Sequence, residues 1–513
     1  MRAAFYSGIL ASGLSLGFVL PASADISAQE VRDQLFGYYE TLGYDVSVDS
    51  EVFSDGALTI SGLEITVDIP DEDGQVVIGI NEFTFRDTGD GSVSIELPEA
   101  MDYRIGFVED DREVASAVFD IKIVNYSGLV SGDVDNMRIQ SSFDSTSMAV
   151  DSVKVGRGEF PVTFKLNLGA TRSDYTFKTL ADDQREILSD LEIASLDIVA
   201  AADDPEGGDG FFSLTANMQD IGSTGDMTIP SMAAFAALAE NPEAVFGAGL
   251  FVDAVIEFGA SEFDVAFQDR GTSIAVTAKS SGGLADVLLS KEAIAYEIVQ
   301  QGVDVSFASS DIPFPSVEFA YDEFAFGIEI PLAKSDEPSD FHARAALRGL
   351  TVGDPIWAMI DAGGSIPRDP ATVAVDVSGK VTVLVDLLDA EVLDNLDDMA
   401  GPPMLPVSLD LSELLVSFGG ALLEGDGAVK VDLATAKMIA GVPLPVGEVN
   451  LSLKGGFGLM DKLAALGLIP MEASMGIRGM LGIFAKPMGE DRFETKIEFT
   501  EEGGILANGQ RIQ

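Results

Sequence analysis

Thr372-Val373-Ala374-Val375-Asp376-Val377-Ser378-Gly379-Lys380-Val381-Thr382-Val383-Leu384-Val385 is the stretch that decides the fold class. Side chains alternate with period two along a strand, so Val373, Val375 and Val377 fall on one face and Thr372, Ala374 and Asp376 on the other. After Ser378-Gly379 the alternation resumes through Val381, Val383 and Val385. Upstream stands a rigid corner, Ile366-Pro367-Arg368-Asp369-Pro370, whose two prolines fix φ and remove two backbone donors. Before it, a short helical run, Pro355-Ile356-Trp357-Ala358-Met359-Ile360, carries the one tryptophan of the chain and ends at Gly363-Gly364. One strand-rich half therefore ends at a Trp/Pro corner and a second begins.

The same texture extends in both directions. Toward the N-terminus, Leu58 to Ile69 alternates almost throughout, Pro70 to Gly74 reads as a turn, and Val76 to Phe85 returns. Strands at such regular spacing continue to about Leu180 and imply an antiparallel meander with one apolar and one wet face. Ahead of them, Ser27 and Glu30 form a capping box, and Val31, Leu35, Tyr38 and Leu42 give one apolar face, so Ser27 to Leu42 is expected to be a helix that plugs an end of the sheet. Ala181 to Leu191 reads as helical or irregular, Ala201 to Gly210 as a loop or linker, and Pro230 to Gly247 as an alanine-rich helix interrupted at Pro242. The β pattern returns from Phe251 to Leu332. A faint echo links Ile60-Ser61-Gly62-Leu63-Glu64-Ile65 to Leu347-Arg348-Gly349-Leu350-Thr351-Val352 and raises the idea of two related halves.

Beyond the corner, strands are expected over Leu405 to Phe418, Ala428 to Leu433 and Gly447 to Leu453. Gly458 to Leu468 reads as an apolar helix and Met471 to Phe484 as a second helix or a strand pair. Five of the 16 methionines fall between Met460 and Met488, and methionine suits irregular apolar surfaces, lipid-binding ones included. The chain closes on a hairpin, Phe493 to Phe499 and Ile505 to Gln510. The expected fold class is α+β and β-dominated: long curved antiparallel sheets with a few helices at the ends or in the concavity. The division is 1–24, 25–250 as an N-terminal β-rich half, and 251–513 as a C-terminal β-rich half with the Trp/Pro corner and the Met-rich helical segment.

Residues 1–24 have the form of a signal peptide: Arg2, an apolar run from Gly8 to Leu20, and Ala22-Ser23-Ala24, with cleavage expected after Ala24. No other stretch is long and apolar enough for a spanning helix. The expected address is the periplasm. With no cysteine in 513 residues, the core must be sufficient without disulfides, and thiol chemistry is excluded. Lys plus Arg number 30 and Asp plus Glu 85, a net charge of −55 that opposes binding to nucleic acid or to an anionic membrane surface. A solvated acidic surface accounts for it better than cation storage.

Catalytic signals are missing. His342, the one histidine, alternates with apolar residues in Phe341-His342-Ala343-Arg344-Ala345 and has no second ligand or base nearby in sequence. Gly13-Leu14-Ser15-Leu16-Gly17 matches the nucleophile-elbow pattern but lies in the signal peptide. No phosphate-binding or dinucleotide fingerprint occurs in a strand-to-helix setting. The acidic segments Asp71 to Gly74 and Asp203 to Asp209 lack EF-hand spacing and read as solvated turns. No catalytic, cofactor-binding or metal residue is assigned, and no cofactor is expected.

Trp357-Ala358-Met359-Ile360-Asp361, Pro367-Arg368-Asp369-Pro370 and the strand ending at Ser378-Gly379 resemble a pattern in the Gram-negative secreted family called domain of unknown function 2125. Leu463 to Pro470 with Met480, and Gly503-Gly504-Ile505-Leu506-Ala507-Asn508-Gly509-Gln510, are similar to that family too. The closing hairpin also resembles that of AsmA-like periplasmic proteins, whose long curved sheets form grooves linked to lipid traffic. The resemblance supplies no catalytic residue. An extended sheet with an apolar face must cover it by another sheet, by helices or by a ligand, so the leading reading is a non-enzymatic periplasmic protein that binds or carries an apolar or lipid ligand in envelope maintenance. The groove residues expected from the corner and the Met-rich end are Trp357, Met359, Met460, Met471, Met475 and Met480. The alternative is a structural or assembly factor that contacts envelope proteins; a third reading, a carboxylate-only hydrolase, requires two converging buried acids.

Overall fold

Alternation becomes hydrogen-bonded strand over most of the chain: in the computed structural model 64% of it is strand and 13% helix, a β-dominated α+β fold. The structure describes residues 25–512 except 42, 70–73, 111, 182–183, 205–207, 232–233, 235–240, 397–398, 400, 432–437 and 440–441. The expected signal peptide, most of the turn at 70–74 and part of the alanine-rich helix fall outside the described residues. No helix among the described residues is long and apolar enough to cross a membrane. The chain forms two units: Met1–Ala237 with Ala248–Ala278 and Ala308–Pro313, and Leu238–Gly247 with Lys279–Phe307 and Phe314–Gln513.

In the first unit the opening helix, Ala28–Thr41, is capped as its sequence requires. The Ser27 amide donates to Glu30 Oε2 at 2.9 Å, and the Ser27 hydroxyl holds the Glu30 carboxyl below its usual pKa. Ala28, Val31 and Phe36 on this helix pack with Ile60, Ile65, Phe85, Val93 and Val130 of the strands beneath it, so one end of the sheet is plugged. The sheet itself forks. Strand Gly74–Asp87 pairs along one edge with both Val93–Glu96 and Ala100–Glu109. The two branches meet again on Arg185–Asp203, which pairs with Gly158–Leu168 and Thr171–Thr179.

That 19-residue strand replaces, from Arg185 on, the helical or irregular segment expected over 181–191, of which 182–183 lie outside the described residues. Its sequence is helix-tolerant, but both of its edges are paired, and ladder formation overrides a weak local preference. The strand also absorbs Ala201 to Asp203 of the expected linker, and the Asp204 amide donates to Gly210 O at 2.8 Å.

The second unit is a meander in which each strand pairs antiparallel with the next: Gly282–Leu289, Ala293–Ser309, Val317–Pro331, Ser339–Val352, Ala371–Val383, Met404–Phe418, Ala421–Lys430, Val446–Lys454 and Arg492–Phe499. Register shifts at Leu347/Leu350, Asp376/Val377, Lys380/Val381 and Leu411/Leu414 mark bulges, which bend and twist the strands that carry them. The corner helix is Asp354–Ile360, and the Met-rich segment is a pair of helices, Gly456–Ala465 and Met471–Phe484, with no strand pair.

The hexapeptide echo has a structural counterpart in each unit. Gly62 and Gly349 both take the left-handed conformation, at φ +65° and +68°, where a side chain is strained. A Cβ on either would strike an aspartate of the preceding strand, Asp49 and Asp322 respectively.

Candidate functional site

Because each strand of the second unit pairs with the next, its two faces can be followed across all nine strands once the register shifts are counted. One row runs Ala285, Ile298, Phe326, Ala345, Val375, Leu414, Gly425, Leu451, Thr495. The row on one side is Val287, Tyr296, Ile328, Ala343, Val377, Leu411, Gly427, Val449, Ile497, and on the other Gly283, Gln300, Phe324, Leu347, Val373, Val416, Leu423, Leu453, Phe493. These rows contain no charge, and Gln300, Thr495 and the Tyr296 hydroxyl are their polar groups. Gly425 confirms the facing: a Cβ there would meet Leu451 Cδ2 at 2.8 Å and Leu414 Cδ2 at 3.1 Å.

The opposite face is charged. Arg344 donates to Glu297 at 3.2 Å and to Glu323 at 2.7 Å, and Arg348 donates to Glu323 at 3.3 Å and to Glu413 at 2.9 Å. The Arg348 hydrogen bond holds the Glu413 carboxyl below its usual pKa. His342 Nε2 lies 3.1 Å from Asp376 Oδ1 on the neighbouring strand. Between these long side chains run small ones: Ala325, Ala346 and Ala374 are adjacent across three strands and buried.

Burial is therefore inverted relative to an ordinary sheet. Ala325, Ala346, Ala374 and Gly327 are buried on the charged side, whereas none of the three apolar rows contains a fully buried residue. Phe326 remains 43% exposed and Val373 57%, with Tyr296 and Phe324 also exposed. Nine strands at about 4.8 Å spacing give a face roughly 40 Å across. Tyr296, Phe324, Phe326, Ala345 and Val373 are exposed on it and the other row residues are half-buried; apolar side chains clustered in water are costly, and on proteins such a patch marks a place where something binds. The first unit has a smaller version: Phe164, Ala200, Leu214 and Val265 form one row and Leu166, Ile198, Ala216 and Phe263 the next, with Phe263 exposed.

The Trp/Pro corner closes one end of the apolar face. Phe418 follows Val416 on the same side of its strand, and Trp357 stacks on it with centroids 6.4 Å apart and planes 7° from parallel. The Arg368 guanidinium lies over the indole ring at 5.4 Å and donates to Asp354 at 2.7 Å. Asp361, the one acid among the buried described residues, accepts from the Ile366 amide at 2.6 Å and from the Ser365 hydroxyl at 3.0 Å. Those bonds, the Ile366 amide foremost, hold its carboxyl below the usual aspartate pKa. Both oxygens are committed to the corner, so Asp361 does not converge with a second buried acid. Among the described residues no cluster of His, Asp or Glu could hold a metal ion.

The sequence-predicted groove residues distribute over three places. Trp357 is enclosed in the corner, only 8% exposed. Met359 points outward from the corner helix and is 73% exposed. Met460 is half-buried on the first hairpin helix, and Met471, Met475 and Met480 stand exposed on the second. Met471 and Met475 share a side of that helix one turn apart, and Met480 lies on another side. Sequence reasoning missed the phenylalanine and valine rows. Their signal was present in the alternation of Val373, Val375, Val377 and of Phe324, Phe326, Ile328, but alternation does not say that a face stays uncovered.

A family model described as an uncharacterized protein conserved in bacteria matches residues 253–506, which contain the whole of the apolar face. No curated protein and no solved structure matches the chain.

Proposed function

Residues 253–506 match the family called domain of unknown function 2125, and we propose that the protein is a non-enzymatic binder of an apolar ligand, a lipid, and serves the cell envelope from the periplasm. The observation that carries this reading is the uncharged nine-strand face with Phe324, Phe326 and Val373 open to solvent. An acyl chain satisfies such a face without requiring polar partners, because it offers no hydrogen-bonding groups of its own. The charged reverse face, tied across five strands by Arg344 and Arg348, keeps the sheet extended while the apolar side is loaded or empty.

The test is native mass spectrometry of the full mature chain recovered from its own periplasm, with organic extraction of what accompanies it. A stoichiometric lipid is expected, lost in a Phe326→Asp, Val375→Asp double variant and retained in Glu424→Gln on the reverse face. An apo mass that stays unchanged after incubation with envelope lipids would sink lipid binding and leave a protein partner as the occupant of the face.

A further inference from the structure

The second hairpin helix, Met471–Phe484, touches the rest of the protein along a narrow strip. Ser474 is its one buried residue, with Arg478 and Leu481 half-buried beside it. Arg478 anchors it, donating to Phe457 O at 3.2 Å and lying over the Phe457 ring at 4.6 Å. Asn508 of the closing hairpin donates to Phe484 O at 3.0 Å and finishes its C-terminal end. Away from that strip the helix exposes Met471, Met475, Ile477, Met480 and Ile483, the last 69% exposed. At 100° per residue these side chains spread over more than half the circumference. A protein groove would be matched by one stripe; an apolar environment on most sides is matched by fluid lipid.

Charge separates this element from the rest of the molecule. Within a chain of net charge −55, the segment from Lys454 to Lys486 carries Lys454, Lys462, Arg478 and Lys486 against Asp461 and Glu472, a net charge of +2. Lys454 and Lys486 are exposed at the two roots of the hairpin. Basic residues beside an apolar helix favour an anionic lipid surface, while the acidic remainder is repelled from it. The helix has 14 residues, a length of about 21 Å, too short for the roughly 30 Å core of a bilayer, and so it would lie in the interface.

We propose that the Gly456–Phe484 hairpin docks this protein on an anionic lipid bilayer, with Met471–Phe484 lying in the plane of the interface. The first hairpin helix rests on the end of the sheet face, Phe457 packing on Phe493 at 4.7 Å, but the exposed side chains of Met471–Phe484 are not part of that face, so docking through them does not depend on whether the face carries lipid. The experiment is flotation of the full mature chain with phosphatidylcholine vesicles, with and without phosphatidylglycerol. Binding to the anionic vesicles is expected, weakened by salt and by Lys454→Glu with Lys486→Glu. Met475→Glu with Met480→Glu should lower it at least about tenfold with an unchanged melting temperature, since both positions are already exposed. Phe326→Asp, on the sheet face, should leave it intact. No flotation of the wild-type chain, or equal flotation of the Met475/Met480 variant, would overturn the proposal. So would a solution dimer that the same variant splits while vesicles go unbound.

Discussion

At the scale of single residues, the corner around Trp357 is a polar device that fixes an apolar contact. Trp357 contacts both Phe418 and Arg368, and its helix is followed at once by Asp361, whose carboxylate gathers the Ile366 amide and the Ser365 hydroxyl. The chain thereby reverses in five residues and delivers Ile366, almost fully buried, toward Gly419 of the neighbouring strand turn. The folded pKa of Asp361 is lowered, so its contribution is complete above the ordinary aspartate value of 3.8 and is lost as pH falls through the folded value. Asp361→Asn should therefore lower the melting temperature at neutral pH, and the gap to the wild type should close below about pH 4. Thermal melts of both proteins across that range check it; a gap independent of pH would mean that the charge of Asp361 contributes nothing.

At the scale of elements, the sheet of the second unit and the helical hairpin beside it follow different rules. The sheet gains its order from register and from the Arg344/Arg348 ladder, and its apolar face contributes little burial. The hairpin is held by a few polar anchors: Asp491 caps the first helix by accepting from the Phe457 and Gly458 amides at 2.9 Å, and Phe457 packs on Phe493 at 4.7 Å. The second helix contains Gly476, Gly479 and Gly482, where an added Cβ would meet nothing within 4 Å. Glycine in a helix interior costs about 0.5–1 kcal/mol relative to alanine. Each Gly→Ala change should stabilise this helix by about that amount, read as increased helicity by circular dichroism and slower amide exchange over 471–484. A loss of protection in any of the three would mean that the glycine serves a close approach.

At the scale of the whole molecule, a net charge of −55 dominates. Like charges at this density repel one another within the Debye length, and salt screens them. The melting temperature should rise from low salt to about 0.5 M NaCl, by several degrees, because screened repulsion outweighs the weakening of exposed ion pairs such as Arg172–Glu192. Scanning calorimetry across a salt series checks the sign, and a falling melting temperature would place the ion-pair ladders above self-repulsion. The same repulsion bears on function: an acidic body keeps its distance from anionic surfaces, so contact is confined to the segment where charge reverses.

Local sequence alone establishes that this chain is strand upon strand, where its corner lies, how side chains alternate along each strand, and that 471–484 is apolar. Those properties are local: period-two alternation, proline geometry, capping chemistry and composition act within a few residues. It did not separate a helix from a strand pair at 471–484, and it read 181–191 as non-strand, because there the partners on both edges decide. Only the tertiary structure decided that Ile298, Phe326, Val375 and Leu414 form one row, since four bulges set the register and each bulge shifts which residues meet. It alone decided that the apolar side stays open while alanines on the charged side are buried, and that Met475 faces outward and Trp357 inward. Exposure depends on what lies across from a residue in space, which alternation along the chain does not encode.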